Sequence, residues 1–177
     1  MIGKNVLLRA VEPADTERLY LWENDMQIWH LSSTKAPFSK YLMEQYVMNA
    51  QQDIYAARQL RLMVDTHHSK EDNATVGCVD LFDFDPANRR AGIGILITED
   101  ERGKGYGKEA LELMIDYAFN TLNLHQIFCN ILENNEQSLK LFKKQGFKTI
   151  GLKRDWTQID GVWQNEYILQ LLKKERI

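Results

Sequence analysis

The sequence predicts an α/β fold in which helices flank a mixed, mostly antiparallel central sheet that ends in a C-terminal β-hairpin. Strand-like and helix-like patterns alternate over most of the chain. At 91–122 an apolar run leads through a glycine-rich loop into an amphipathic helix. Near the C-terminus, Asp160-Gly161 separates two long strand-like segments, which is a strong hairpin signal.

Length and composition predict a single domain that spans 1–177. The chain is 44% hydrophobic, enough for a substantial core, and its net charge is −3. This slight acidity argues against a nucleic-acid partner and favours cationic substrates. Residues 1–10 lack the apolar stretch of a signal peptide, and no segment approaches 18 apolar residues. We therefore expect a cytoplasmic protein with no membrane partner.

The first half of the chain predicts three strands and two helices. One helix begins near Pro13, with Leu19, Trp22 and Ile28 on its inner face, and the other begins at Ser39 as its N-cap. The linker at 29–38 either faces the substrate or covers the sheet edge. The predicted strands lie at 5–11, 59–65 and 75–84, and the second helix at 39–51.

The second half predicts four further strands and two further helices. Asn135 is the expected N-cap of the last helix, and Gly146 its C-terminal stop. Cys78 and Cys129 fall in strand-like runs, so we expect buried free thiols. The strands lie at 93–97, 125–132, 148–157 and 162–172, and the helices at 110–122 and 135–145.

The glycine-rich loop at 102–108 has the features of an anion site. It follows the strand at 93–97 and opens into a helix, whose first N–H groups are unpaired and carry partial positive charge. Glycines allow the backbone to approach a ligand closely, and Lys104 and Lys108 add charge. We therefore expect this loop to bind a phosphate or pyrophosphate.

The spacing of the loop residues narrows the choice of ligand. A P-loop would need glycine where Arg102 stands, and a dinucleotide fingerprint would need glycine where Lys108 stands. The spacing that fits is R-x-x-G-x-G, formed by Arg102, Gly105 and Gly107. This pattern resembles the acetyl-CoA pyrophosphate loop of the GNAT N-acetyltransferase superfamily.

A second segment strengthens the resemblance. The stretch at 133–147, with Asn135 and Ser138 at the start of a helix that ends in Gly146-Phe147, looks like the second GNAT signature. The N-terminal segment, the strand at 88–97 and the closing hairpin resemble the branch of ribosomal-protein N-acetyltransferases and bacterial spermidine acetyltransferases. The likeness covers nearly the whole chain and implies a GNAT-like fold.

The resemblance implies a co-substrate and a set of residues to hold it. The co-substrate is acetyl-CoA, and the acceptor is the amine of a small molecule or a peptide. We expect no metal, since His67-His68 has no cysteine or carboxylate at ligand spacing. The oligomeric state stays open, a homo-oligomer included. The implied CoA-binding residues are Ile95, Leu96, Ile97, Arg102, Gly103, Lys104, Gly105, Tyr106, Gly107, Lys108, Asn135, Ser138 and Phe142.

Two positions depart from the family pattern. Many relatives carry a tyrosine acid where this chain has Phe142, and a glutamate where it has Gly92. Protonating a thiolate of pKa about 8.5 at pH 7 is worth only about 2 kcal/mol, so the missing acid is tolerable. Deprotonating an alkylammonium of pKa about 10.4 costs about 4–5 kcal/mol, so the missing base is the larger gap.

Asp80 and Asp83 are the candidate catalytic carboxylates. Asp83 matches a carboxylate near the polyamine-binding region of the spermidine branch, and Asp80 is its sequence neighbour. Because they are three residues apart on one predicted strand, they face opposite sides unless a bulge intervenes. Either could also be a solvated aspartate.

Three functions compete. The leading hypothesis is direct acetyl transfer to a primary amine, with a small polyamine such as spermidine favoured by the acidity around Asp80, Asp83 and Asp85. The alternative is a protein N-terminal α-amine, whose pKa of about 8 requires little deprotonation. A non-catalytic CoA-binding protein is the third, suggested by Phe142 and Gly92.

Overall fold

A seven-stranded sheet organises the computed structural model, which describes residues 1–26, 28–29, 34–50, 52–67 and 74–176. The strand order is β1-β2-β3-β4-β5-β7-β6. Within this sheet β4 and β5 are parallel, and the other neighbours are antiparallel. The strands are β1 (Val6–Ala10), β2 (Leu60–Thr66), β3 (Thr75–Asp85), β4 (Arg90–Ile97), β5 (Gln126–Leu132), β6 (Lys148–Ile159) and β7 (Val162–Leu172). The predicted mixed, mostly antiparallel sheet is confirmed.

Helices flank this sheet, as predicted. A 3₁₀ turn at Pro13–Asp15 precedes the first of them, and a π-helical turn at Tyr117–Thr121 extends the fourth. Among the described residues, no helix is long and apolar enough to span a bilayer. The helices are α1 (Thr16–Glu23), α2 (Lys40–Asn49), α3 (Ile54–Ala57), α4 (Tyr106–Asp116) and α5 (Glu136–Lys144).

The first helix is shorter than the sequence pattern indicated. It ends at Glu23, because the Asn24 side chain turns back to donate to the Tyr20 carbonyl and pairs with the backbone of Phe38. Ile28 therefore lies beyond the helix, and its predicted place on the inner face of α1 is wrong.

The predicted helix caps are confirmed. The Ser39 hydroxyl accepts a hydrogen bond from the N–H of Leu42, and the Asn135 side chain accepts one from the N–H of Ser138, each at 3.1 Å. Gly146 follows α5 with a positive φ. Position 51, the predicted end of α2, lies outside the described residues.

Among the described residues, the larger of two hydrophobic clusters lies between the sheet and α4, and the smaller one packs α1 and α2 against the sheet. Helix α4 buries Ala110, Leu111, Met114 and Ile115 against the strands, which explains the apolar spacing in its sequence. Burying each large aliphatic side chain contributes about 1.5–3 kcal/mol, so this packing fixes the start of α4 beside β4. Cys78 and Cys129 are buried free thiols, as expected.

A cleft opens where β4 and β5 separate. The two strands pair at Arg90, Ala91 and Gly92, opposite Gln126, Ile127 and Phe128, and then diverge. From Ile93 onward β4 remains paired with β3 alone. Because N–H groups alternate in direction along a strand, some of those on β4 point into the gap.

Candidate active site

A cavity of about 500 Å³ occupies the gap between β4 and β5. Its lining residues lie far apart in the sequence, from Trp22 to Glu166, so folding alone brings them together. Its CoA side, as implied by the sequence, includes Ile95, Leu96, Asn135, Ser138 and Phe142. The opposite side, termed here the acceptor side, includes Trp22, Glu23, Arg61, Asp80, Phe82, Lys153, Trp156 and Glu166.

The predicted phosphate loop, which precedes α4, has a left-handed backbone conformation at two glycines. Gly103 and Gly105 have φ values of +78° and +90°, and no heavy atom lies within 4 Å of where either Cβ would stand. Gly105 is the N-cap of α4. Open space at a glycine-rich helix N-terminus is the arrangement that admits a pyrophosphate to the backbone N–H groups.

Gly107 serves a different purpose in the same loop. A Cβ at this position would lie 3.3 Å from Cγ1 of Ile97, so glycine lets the first turn of α4 rest close against β4. The Ile97 carbonyl in turn accepts a hydrogen bond from Nε of Arg102 at 3.0 Å. Ile97 therefore positions the loop, while Ile95 and Leu96 line the cavity.

The two lysines of the loop are paired with carboxylates. Lys104 lies 3.0 Å from Glu101, and Lys108 lies 3.4 Å from Glu112. Such exposed pairs within a turn or helix contribute little to stability. An entering phosphate can therefore compete for the ammonium groups, although the loop backbone is the main expected ligand.

Phe142 closes the cavity from α5. Its ring is 3% exposed and meets the ring of Phe147 edge-on, with centroids 5.1 Å apart. The side chain carries no proton donor, so the thiol leaving group has no tyrosine acid at this position. Nearby, burial raises the pKa of the Cys129 thiol well above its usual range, which keeps it protonated and a poor nucleophile.

Three charged side chains form an ion cluster on the acceptor side. Arg61 donates to both oxygens of Asp80, from Nε at 2.8 Å and from Nη2 at 2.9 Å. Its Nη1 donates to Glu23 at 2.5 Å, and its guanidinium stacks 5.6 Å from the ring centroid of Tyr46. Burial lowers the pKa of Arg61, but Asp80 outweighs that effect and raises the pKa well above its usual value.

Asp83 lies apart from this cluster. A β-bulge between Phe82 and Asp85 intervenes, and it gives Asp83 a positive φ of 48°. The bulge breaks the strict alternation of β3, so the expectation of opposite faces for Asp80 and Asp83 does not apply. Asp83 is exposed and lines a neighbouring hollow of about 650 Å³ together with Phe128 and Gln126. Its role stays a prediction.

A second polar cluster lies on the β5–β7 wall of the cavity. The ammonium of Lys153 donates to Glu166 at 2.7 Å and to Asn130 at 3.2 Å, and it sits 4.7 Å from the ring centroid of Trp156. Sequence reasoning missed this cluster because its members come from three strands and share no local motif.

The sequence did not predict the Glu23–Arg61 contact either, although the strand pattern could have indicated the position of Arg61. The alternating pattern of β2 places Arg61 on a polar face, and the antiparallel register sets it opposite Asp80. Glu23 carries no such signal. Of the predicted linker at 29–38, positions 30–33 lie outside the described residues, as does His68. Within the described part of the chain, no group of three potential metal ligands occurs.

Comparison with known proteins agrees with this geometry. The family model for the acetyltransferase (GNAT) domain matches residues 5–148. The chain is 29% identical to "Probable N-acetyltransferase YjcK" of Bacillus subtilis, over 98% of this chain and 97% of that protein. It is 31% identical to the spermidine N(1)-acetyltransferase of Escherichia coli K12, over 53% of this chain and 50% of that protein.

A solved structure confirms the fold. Spermidine N-acetyltransferase from Vibrio cholerae, in complex with CoA and spermine, superposes with a TM-score of 0.85 at 23% identity, covering 96% of each chain. The fold, the cleft and these matches define an acetyl-CoA-dependent N-acetyltransferase. The chain belongs to the GNAT acetyltransferase family, and a purely non-catalytic CoA-binding role is set aside.

Proposed function

We propose that this enzyme acetylates a primary amine of a small polyamine such as spermidine. The observation that carries the proposal is the Glu23–Arg61–Asp80 cluster on the acceptor side. Two carboxylates share one guanidinium, so the cluster has a net charge of −1 within the cavity. One substrate ammonium group completes the charge balance.

The ion pairs leave both carboxylates able to bind that ammonium. Each carboxylate oxygen has two lone pairs, and the three hydrogen bonds from Arg61 use one on each of three oxygens. Because the guanidinium holds Asp80 in a bidentate geometry, the acceptor oxygens are fixed before the substrate arrives. Such preorganisation lowers the entropy cost of orienting a flexible amine.

The acetyl group is transferred in one step across the cleft. The neutral amine nitrogen attacks the thioester carbonyl carbon, the C–S bond breaks and the CoA thiolate leaves. The nitrogen releases its second proton to water as the amide forms, and the thiolate takes up a proton from water. Because the N–H of Thr98 bonds to Val76 on the β3 side, alternation directs the N–H groups of Ile95 and Ile97 into the gap, where they can donate to the developing oxyanion. The ammonium proton leaves first to solvent water, since Asp80 is already engaged by Arg61.

The co-substrate lies along the other half of the cleft in this proposal. Its pyrophosphate rests on the backbone of the loop at 102–108, including Gly103, Gly105 and the first turn of α4 with Tyr106. Its pantetheine arm passes Asn135 and Ser138, and its sulfur approaches Phe142. The spermidine acetyltransferase from Escherichia coli supports this choice of substrate class, since it is 31% identical in the matched half.

One observation favours a protein N-terminal α-amine as the second candidate. Among the described residues, each carboxylate lining the cavity is paired with a cation: Glu23 and Asp80 with Arg61, and Glu166 with Lys153. A site without an unengaged carboxylate base suits an amine of pKa about 8 better than one of about 10.4.

A substrate panel separates the two candidates. CoA thiol release is measured with spermidine, an amino sugar and peptides bearing ribosomal-protein N-termini. We expect kcat/KM for spermidine to exceed that for the peptides at least about tenfold, or 1.4 kcal/mol. Higher kcat/KM with the peptides establishes the second candidate instead, and no turnover with spermidine contradicts the proposal.

A matched pair of variants tests the acceptor assignment. Glu23→Gln removes a charge of the cluster, so KM for spermidine should rise about tenfold while KM for acetyl-CoA stays constant. Glu17→Gln alters the same helix at a 60% exposed side chain that pairs with Lys40, so it should change neither constant. Equal effects of the two variants would remove Glu23 from the acceptor site.

A further inference from the structure

We propose that the rings of Phe82 and Phe128 form a partition that closes the acceptor cavity on one side and limits the length of the amine it accepts. This inference rests on the proposed amine acetylation. The partition lies at the closed end, or apex, of the cleft between β4 and β5, next to the last paired residues of the two strands.

Three residues form a row across the sheet at this apex. Phe82 of β3 pairs with Gly92 of β4, and Gly92 pairs with Phe128 of β5. Side chains of directly paired residues project from the same face of a sheet. Because Gly92 has no side chain, the two rings meet edge-to-face above it, with centroids 6.0 Å apart and planes at 81°.

The ring of Phe82 fills the space of a side chain at position 92. A Cβ added to Gly92 would overlap this ring, with Cδ2 of Phe82 only 2.6 Å away. A Cβ on Gly94 would lie 3.7 Å from the same ring. Phe82 therefore lies over both glycines, and the glutamate that many relatives carry at position 92 is incompatible with this ring position.

The partition stands between two hollows. Phe82 lines the cavity of about 500 Å³ that holds Asp80, and Phe128 lines the hollow of about 650 Å³ that holds Asp83. An amine chain extending toward the apex meets the two rings before it can reach Asp83. Removing one ring opens a path between the hollows and allows a second ammonium group to reach that carboxylate.

The test compares two amines of different length. The ratio of kcat/KM for diaminooctane to that for diaminopropane is measured in the wild-type enzyme and in Phe82→Ala. We expect the ratio to rise at least about tenfold in Phe82→Ala, because the far ammonium group of diaminooctane can then pair with Asp83, whereas diaminopropane is too short to reach it. In Phe82→Ala/Asp83→Asn, most of that gain should disappear.

Phe84→Leu is the matched control on the same strand. Phe84 is 2% exposed, lies in the core and packs edge-on against Tyr55, so its replacement perturbs β3 without opening the partition. The length ratio should stay at the wild-type value in this variant. An unchanged ratio in Phe82→Ala, or an equal rise in Phe84→Leu, would overturn the proposal.

A structural readout keeps the partition testable if the wild-type enzyme acetylates neither diamine. That result would leave the proposed function to the spermidine assay. A crystal structure of Phe82→Ala then decides the partition: one continuous cavity that reaches both Asp80 and Asp83 supports it, and two hollows that stay separate overturn it.

Discussion

The two halves of the cleft are built on different principles. The proposed CoA half combines the continuous stretch from Ile95 through the loop at 102–108 to the first turn of α4 with Asn135, Ser138 and Phe142. Its expected ligands are backbone N–H groups. The acceptor half is formed by side chains, with Glu23 from α1, Arg61 from β2 and Asp80 from β3.

Because of this difference, the two halves are sensitive to different kinds of substitution. A backbone site depends on φ and ψ values and on close approach, so it tolerates side-chain changes that leave glycine in place. A side-chain site depends on charge and hydrogen-bond geometry, so single substitutions alter what it binds. We therefore expect side-chain substitutions to change the affinity for acetyl-CoA little, and to change the choice of acceptor amine readily.

Removing the cation of the acceptor cluster is expected to have the largest effect. Arg61→Gln leaves Glu23 and Asp80 facing each other without a counter-ion, which should lower the free energy of unfolding by about 3 kcal/mol. The side chain of Arg61 is 19% exposed, so this value is at the lower end for a buried ion pair. Urea denaturation measures the loss.

The control for that prediction is Lys40→Gln. It removes the cation of an ion pair of similar length, 2.6 Å, whose side chains are both largely exposed. Urea denaturation should show no measurable change for this variant. A comparable loss of unfolding free energy in both variants would show that the buried ion pairs of Arg61 stabilise the fold no more than an exposed pair does.

The next largest effect is expected in the CoA half. Gly105→Val places a β-branched side chain at a φ of +90° in the open space of the loop. Affinity for acetyl-CoA, measured by calorimetry, should fall at least tenfold, or about 1.4 kcal/mol.

Gly161→Val is the control that separates the effect of backbone strain from the effect of blocking acetyl-CoA. Gly161 has a similar φ of +80° and equally open surroundings, but it lies in the hairpin turn. This variant should lose stability and keep its affinity for acetyl-CoA. Unchanged affinity in a folded Gly105→Val variant would exclude this loop from the site.

The two candidate carboxylates should differ in a kinetic comparison. Asp80→Asn removes a negative charge from the acceptor cluster, so KM for spermidine should rise several-fold to about tenfold. Asp83→Asn should have little effect while the Phe82 ring separates it from the cavity. Initial rates at several pH values provide the measurement.

The pH profile distinguishes the possible roles of each aspartate. Loss of kcat for every amine, together with loss of the acidic limb, would identify a general base. A larger effect of Asp83→Asn than of Asp80→Asn would contradict the assignment made here and would place the acceptor in the neighbouring hollow.

The smallest effect is expected at the leaving group. Phe142→Tyr supplies a hydroxyl near the expected position of the CoA sulfur, so kcat should be unchanged or raised. Any gain is limited to about 2 kcal/mol, because the thiolate is a good leaving group without an acid. Stopped-flow or steady-state kcat measures it. A collapse of kcat with stability intact would show that the buried ring contacts the substrate.

Local signals explain how much of this molecule the sequence predicted. Asp160-Gly161 gave the hairpin, because both residues adopt the positive φ that a two-residue turn between Ile159 and Val162 requires. Ser39 and Asn135 predicted where two helices begin, because their own side chains accept the capping hydrogen bonds. The bulge at Asp83 and the end of α1 at Asn24 were not predicted, because they depend on contacts with distant segments.

The sequence by itself determined the elements of the mixed sheet, the glycine-rich loop before α4 and the family, because each is recognised from residues close together in the chain and from backbone geometry. Only the tertiary structure decided which side chains meet in the cleft. Glu23 and Arg61 are 38 residues apart, and Phe82 and Phe128 meet over Gly92 only because three strands align. No local pattern encodes such contacts, since their free energy arises from burial and charge pairing between elements that the whole fold brings together.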